Sequence, residues 1–198
     1  PAPAGATWAA PSTVTLSPTD GETLTASAWK GFSIGDAGFV TVAAEYRDQE
    51  RTERGGYDSR QQYLRPTSTT FDAREQTINR FNAWYGEPEL EQLSLFANGG
   101  YELGNGAKLY GWASFQDREA LSAGFFRRPL QDTQTVPEIY PDGFLPKIAP
   151  DVKDYSAAFG VTWNLGTWDM DTSLVYGRNE MDLTIVDTVN ASIGPTSK

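Results

Sequence analysis

The chain has 198 residues and a formal charge of −10, and it holds neither cysteine nor histidine. Disulfide frameworks, thiolate zinc sites, cysteine nucleophiles and imidazole bases are therefore excluded within it, and so acidic a surface argues against non-specific nucleic-acid binding, which needs cations to meet phosphate. Aromatics at 13% argue against disorder, and no run approaches the ~18–20 apolar residues of a membrane-spanning helix.

Residues 1–22 are rich in Pro, Ala, Thr and Ser and end in the turn dipeptide Asp20-Gly21, as the tail of a surface loop does. The opening Pro1-Ala2-Pro3-Ala4-Gly5 has neither the charged nor the apolar part of a secretory signal. A processed signal and a start inside a longer protein both fit, and the second is the expectation. A strand is predicted at 24–32, with Leu24, Ala26, Ala28 and Lys30 on one side and Thr25, Ser27 and Trp29 on the other, which leaves its facing open. The turn Ser33-Ile34-Gly35-Asp36-Ala37-Gly38 leads to a second strand at 39–47. There Val40, Val42, Ala44 and Tyr46 alternate with Thr41, Ala43, Glu45 and Arg47, an apolar side and a wet side on which Glu45 and Arg47 are placed to pair.

The long loop 48–90 carries a helix signature. Asp72 is a candidate N-cap, Glu75 its capping-box partner, and Gly86 a C-terminal stop before Pro88. A helix over 73–85 places Ile78, Phe81, Trp84 and Tyr85 on one face, a stripe that packs on its own loop or rim, or lines a ligand mouth.

The third strand, 92–101, sets Leu93, Leu95, Ala97, Gly99 and Tyr101 against Gln92, Ser94, Phe96, Asn98 and Gly100. After Glu102-Leu103-Gly104-Asn105-Gly106, the strand at 108–118 has ambiguous parity, because Leu109, Ala113 and Phe115 compete with Tyr110 and Trp112. Loop 119–153 holds Pro129, Pro137, Pro141, Pro146 and Pro150, which predict stiff extended segments and turns such as Pro141-Asp142-Gly143 in place of sheet. In the strand 154–164, Tyr155, Ala157, Phe159, Val161 and Trp163 alternate with small and polar residues. Past the turn Leu165-Gly166-Thr167, the strand 168–178 does the same with Trp168, Met170, Thr172, Leu174 and Tyr176.

In these last two strands an aromatic stands at each end of the apolar face, eight residues apart. At ~3.3 Å per residue that is ~26 Å, close to the apolar band of an outer-membrane barrel. The fold class expected is all-β: an antiparallel meander forming part of a large transmembrane β-barrel, with short periplasmic turns, long extracellular loops and one short loop helix. Tyr155, Phe159, Trp163, Met170, Leu174 and Tyr176 are then expected to face lipid, with Asn164, Asp169 and Asp171 opposite.

Segments 38–47 (GFVTVAAEYR), 52–63 (TERGGYDSRQQY), 109–115 (LYGWASF), 122–129 (SAGFFRRP) and 139–146 (IYPDGFLP) resemble barrel sequence of TonB-dependent outer-membrane receptors, over a stretch from about Asp20 to the end. Members of that family hold an N-terminal plug inside a barrel of roughly twenty-two strands. The resemblance implies that 1–198 is a partial barrel domain of about six strands, without the plug, in the outer membrane of a Gram-negative bacterium. It further implies TonB-coupled uptake of a scarce ligand such as an iron chelate, vitamin or glycan. The partners implied are outer-membrane lipid, the remaining strands and plug, the TonB complex and a small extracellular ligand; no cofactor and no enzymatic activity are expected.

The densest charged cluster, Glu45, Arg47, Asp48, Glu50, Arg51, Arg54, Asp58 and Arg60, suits either anion capture by arginines or an internal Arg–Asp network that orders the loop. Arg127-Arg128 beside Phe125 and Phe126 is less compensated. With both loops at the barrel mouth, Arg54, Asp58, Arg60, Arg127, Arg128 and Tyr140 are the ligand-binding candidates that the resemblance implies. Tyr57, Tyr63, Tyr140 and Trp84 are suited to stacking on sugars or aromatic ligands, or to packing within the loops. Asp142, Asp151, Asp154, Asp182 and Asp187 show neither calcium-loop spacing nor a specific glycosidase pair, so no metal is expected. A soluble β-sandwich binding carbohydrate through its tryptophans is the alternative of another class, and a glycosidase using two acidic residues a third.

Overall fold

The computed structural model describes residues 20–104 and 106–197, so expectations for residues 1–19 and for Asn105 lie outside the described residues. Six strands, β1 (Thr23–Ile34), β2 (Gly38–Gln49), β3 (Glu89–Leu103), β4 (Ala107–Ala123), β5 (Lys147–Leu165) and β6 (Trp168–Val186), form one antiparallel sheet in sequence order. The sheet is an open meander with β1 and β6 at its edges. Among the described residues there is no second sheet, and no helix is long and apolar enough to cross a membrane. Gly35, Gly106 and Gly166 in the three tight turns have φ of 57°, 86° and 64°, a region costly for any residue with a Cβ.

Directly opposed residues share a face, so the register settles the two strands whose parity the sequence leaves open. Leu95 opposes Phe115 and Phe115 opposes Tyr155, while Ala44 opposes Ala28. Leu109, Ala113 and Phe115 therefore join the apolar face of β2, β3, β5 and β6, and Tyr110 and Trp112 lie on the other. In β1, Ala26, Ala28 and Phe32 share the apolar face, while Thr25, Ser27 and Trp29 do not. Tyr155, Phe159, Trp163, Met170, Leu174 and Tyr176 all lie on this face, with Asn164, Asp169 and Asp171 opposite. Among the described residues nothing covers it: Phe159 is 61% exposed, Trp168 73% and Leu174 78%. Lys30, on edge strand β1, is the charged side chain within the apolar stretch among the described residues. On the polar side, Arg47 donates to Gln49 Oε1 at 2.5 Å; this contact, two residues along its own strand, takes the place of the expected pair with Glu45.

The turns are stepped in the hydrogen-bond register. Gly38, first in β2, opposes Tyr101, and β3 runs two residues further to Leu103. Lys108 opposes Thr162, so Leu165 at the end of β5 lies two residues beyond the level of Ala107. The first charged residues on the apolar face descend by the same steps. Asp48 and Glu91 are opposed, Asp117 and Lys153 stand one row nearer the turns, and Arg178 one row nearer again. Between turn and charge, the uncharged span is 9 or 11 residues in every strand from β2 to β6.

Beyond that span the polarity of the sheet inverts. On the formerly apolar face Asp48, Glu91, Glu119, Asp151 and Asp182 make one straight row across five strands. Like charges so opposed repel; the Tyr46 hydroxyl, donating to Glu91 at 3.0 Å, and Lys153, 3.3 Å from Asp151, offset part of this. On the other face Ile148, Val152, Met181, Leu183 and Ile185 replace polar residues. This inversion ends the alternation that marks the strands in sequence. The four longer strands accordingly outrun their predicted ends at 92, 118, 154 and 178. The expectation that proline keeps 119–153 out of the sheet is corrected for its two ends. Pro150 lies within β5, where the ladder to β4 lapses at Ala120 and Leu121.

Glycines sit opposite aromatic rings. Tyr101 faces Gly38, Phe39 faces Gly100, Phe159 faces Gly111 and Tyr110 faces Gly160. A Cβ on Gly160 would stand 2.5 Å from Tyr110 Cζ, and that ring is tethered by its hydroxyl, which donates to Asp171 at 2.9 Å. Gly160→Val is therefore expected to cost ~1–3 kcal/mol by overpacking. In a Tyr110→Ser background, chemical unfolding should show most of that cost gone; an equal cost in both backgrounds would locate it elsewhere.

Candidate functional site

Both long loops leave the same end of the sheet, and each is closed at its base by backbone pairing. In the first, Thr52 N donates to Glu87 O, Arg54 N to Tyr85 O and Asp58 N to Arg80 O, at 3.1, 2.6 and 2.8 Å. Gly86 allows this approach, because a Cβ there would lie 2.2 Å from Thr52 Oγ1. The bond from Asp58 N takes the Arg80 carbonyl that a helix over 73–85 would offer to Trp84 N. Helical structure in this loop is confined to a 3-10 turn, Ala73–Gln76, with Asp72 capping it by accepting from Arg74 N at 2.9 Å.

Glu75 has a different role from the capping partner its spacing suggests. Its side chain is fully buried; Oε1 accepts from Gln62 N at 2.8 Å and Tyr63 N at 2.9 Å, while Oε2 pairs with Arg80 at 2.5 Å. Arg80, equally buried, donates onward to the carbonyls of Asp58 and Arg60 at 2.8 Å each. One carboxylate and one guanidinium thus gather three separate stretches of the loop. Sequence spacing offered no signal for this, since residues 62 and 75 meet only after the chain has folded.

In the second loop the bridge between Arg127 and Phe144 closes a short hairpin, and Gly143 N donates to Tyr140 O at 3.1 Å, forming the predicted Pro141-Asp142-Gly143 turn. The loops are joined to each other. Leu130 N donates to Gln62 O at 2.9 Å, Arg128 Nη1 to Gln61 O at 2.8 Å, and the Tyr63 hydroxyl to Asp142 Oδ1 at 2.7 Å. Burial, with Asp142 as acceptor, pushes the Tyr63 phenol well above its ordinary range, so it remains a donor.

Between the loops lies a pocket of about 510 Å³. Its apolar wall is Ile78, Phe81 and Trp84 from the first loop with Phe126 and Leu145 from the second. Its polar wall is Tyr63, Arg74, Asn79, Asn82 and Asp142. Three of the four residues of the stripe expected on a helix face, Ile78, Phe81 and Trp84, therefore line a cavity on irregular backbone, while Tyr85 lies outside it and is exposed. Asn79 Oδ1 accepts from Phe81 N at 2.9 Å, which fixes the bend that presents Phe81.

The six candidate residues are only partly assembled. Asp58 and Arg60 form a two-pronged pair at 2.8 Å, and Arg128 stands near enough for Arg60, together with burial, to depress its pKa. Arg54 is paired with Asp20 at the loop base, Arg127 donates to Gln134 at 3.2 Å, and Tyr140 stacks on Phe144 at 4.4 Å. None of the six lines the pocket. Within the mixed-sign cluster, Arg60 pairs with Asp58, while Arg51 and Arg54 pair with Glu53 and Asp20 beside it. Among the described residues no group of three or more carboxylates is placed to hold a metal ion.

The Asp58 carboxyl carries a pH signature. Burial raises its pKa, but donors from the Arg60 side chain, the Arg60 backbone and Gln62 outweigh that and hold it at about 2. A depressed carboxyl contributes stability above its unfolded pKa, ~3.9, and loses it as pH falls toward 2. Amides 58–62 are expected to gain hydrogen-exchange rate between pH 4 and 2 beyond the intrinsic trend, and Asp58→Asn should abolish that transition.

No protein-family model, curated protein or solved structure matches the chain.

Proposed function

We propose that this chain is part of the wall and extracellular loops of an outer-membrane receptor that captures a scarce small ligand and imports it with TonB-coupled energy. The observation that carries the membrane part of this reading is the stepped band. One face is uncharged over 9 or 11 residues per strand from β2 to β6, and both ends of that span descend by two residues per hairpin. A planar apolar slab crossing tilted strands demands this pattern, and its ~9–11 residues per strand match those of a spanning strand. Tyr46, Phe115, Tyr155 and Tyr176 then mark one interface, with Tyr101, Trp163 and Trp168 at the other. Lys30 extends its charge from the band along its aliphatic stem. The free edges of β1 and β6 pair with the receptor's remaining strands, the plug and TonB complex complete it, and the bacterium is Gram-negative. A carbohydrate-binding sandwich gains no support from a single sheet with one bare apolar face.

Tryptophans on both faces give the test. In vesicles containing brominated lipid, single-tryptophan variants of the full-length protein retaining Trp163 or Trp168 should be quenched strongly, and one retaining Trp112 weakly. Equal quenching of the two faces would sink the membrane reading.

A further inference from the structure

We propose that the pocket between the loops takes a neutral saccharide; this rests on the receptor reading only in making the pocket the point of ligand entry. At about 510 Å³ the cavity falls within the ~300–1,000 Å³ of small-molecule sites. The charge at the pocket is already satisfied. Arg74 is the cation in its wall, and its guanidinium binds Asp72 at 2.9 Å, lies 3.6 Å from Asp142 and stacks on Tyr63 at 4.0 Å. Among the described residues no unpaired cation lines it for the carboxylates of a chelate.

The loops agree with their pocket. Residues 50–88 contain six acidic and six basic side chains, and 124–146 contain three and two, so all but one unit of the charge of −10 resides elsewhere. What the pocket does offer is rings beside amides. Trp84, Phe81 and Phe126 supply apolar faces, and Trp84 is braced by Arg51 at 4.2 Å and Lys147 at 5.4 Å, cations already paired with Glu53 and Asp187. Opposite, Asn79 and Asn82 supply planar amides, and Asn82 Nδ2 is shielded from solvent without a hydrogen-bond partner. Alternating C–H faces and hydroxyls are the chemistry that uses both walls at once. A carboxylated or phosphorylated ligand would leave its charge facing Asp142.

Calorimetric titration of the full-length protein in detergent decides this, with maltohexaose and cellohexaose as neutral probes and ferric citrate as the anionic one. The expected result is saturable binding of at least one oligosaccharide, insensitive to salt, weakened roughly tenfold by Trp84→Ala and by Asn82→Ala. Trp84→Phe, which keeps a ring for both Arg51 and the sugar, should retain most of the affinity and so separates stacking from loop collapse. Salt-sensitive binding of ferric citrate in preference to either sugar would overturn the proposal, as would no saturable binding of any sugar. Either failure leaves the lipid-quenching pattern untouched, and a failed quenching pattern leaves sugar binding untouched.

Discussion

If the bare face lies in lipid as proposed, arginine in place of Val161 is expected to cost ~2–4 kcal/mol of stability, the penalty of a guanidinium near the middle of the apolar band. Val161 lies between Phe159 and Trp163 on the uncovered face, one residue from the centre of the 155–165 span. Thr162→Arg is the matched control, because Thr162 points to the other side, opposite Lys108 and Asp171. At ~1.4 kcal/mol per tenfold the difference is roughly 30- to 700-fold in the folding equilibrium. Reversible unfolding in phospholipid vesicles measures it. Equal costs at the two positions would mean that the bare face is not in lipid.

Glu75→Ala is expected to dissolve the first loop while leaving the sheet intact. The substitution strands a buried guanidinium and two buried amides. Removing one partner of such a pair costs ~3–5 kcal/mol, because the other charge is left desolvated. Hydrogen exchange should show amides 62 and 63 losing protection, followed by 128–131, which lean on Gln61 and Gln62. Protection within β4 and β5 should persist, since the Glu75 side-chain bonds stay inside the first loop and Lys108–Glu119 pairs without a break with Asp151–Thr162. Unchanged protection at 62 and 63 would show that the carboxylate is dispensable.

The sheet was legible because its alternation is strong where one face is apolar. Phe159, Val161 and Trp163 against Gly160 and Thr162 admit one reading, and the turn glycines punctuate it. Strand four was not legible alone, since both of its faces carry aromatics; only the opposition of Phe115 to Tyr155 and of Trp112 to Ala158 decides it. Strand ends were lost where Ile148, Val152 and Met181 carry the apolar pattern over to the other face. The helix failed for a different reason. Asp72 and Glu75 have the right spacing for a capping box, but Glu75 gains more by satisfying two buried amides and Arg80 than by turning back on Asp72. The pocket is half visible in the sequence: Ile78, Phe81 and Trp84 share a helical spacing, as does Tyr85, which stays outside the pocket, while Asn82, Phe126 and Asp142 join them through contacts between loops that no local spacing encodes.

The stepped turns have a geometric meaning of their own. Two residues per hairpin, at ~3.4 Å each across two strand spacings of ~4.8 Å, incline the strands by about 35° to the perpendicular of the line through the turns. Six strands so inclined occupy roughly 35 Å of circumference, and in a ring of about twenty-two their outer edges face directions some 80° apart. In such a ring the two edges would not meet each other. Closure on this rule accumulates one residue of shear per strand, and a hairpin added without its two-residue step would carry its uncharged span out of the plane shared by the rest.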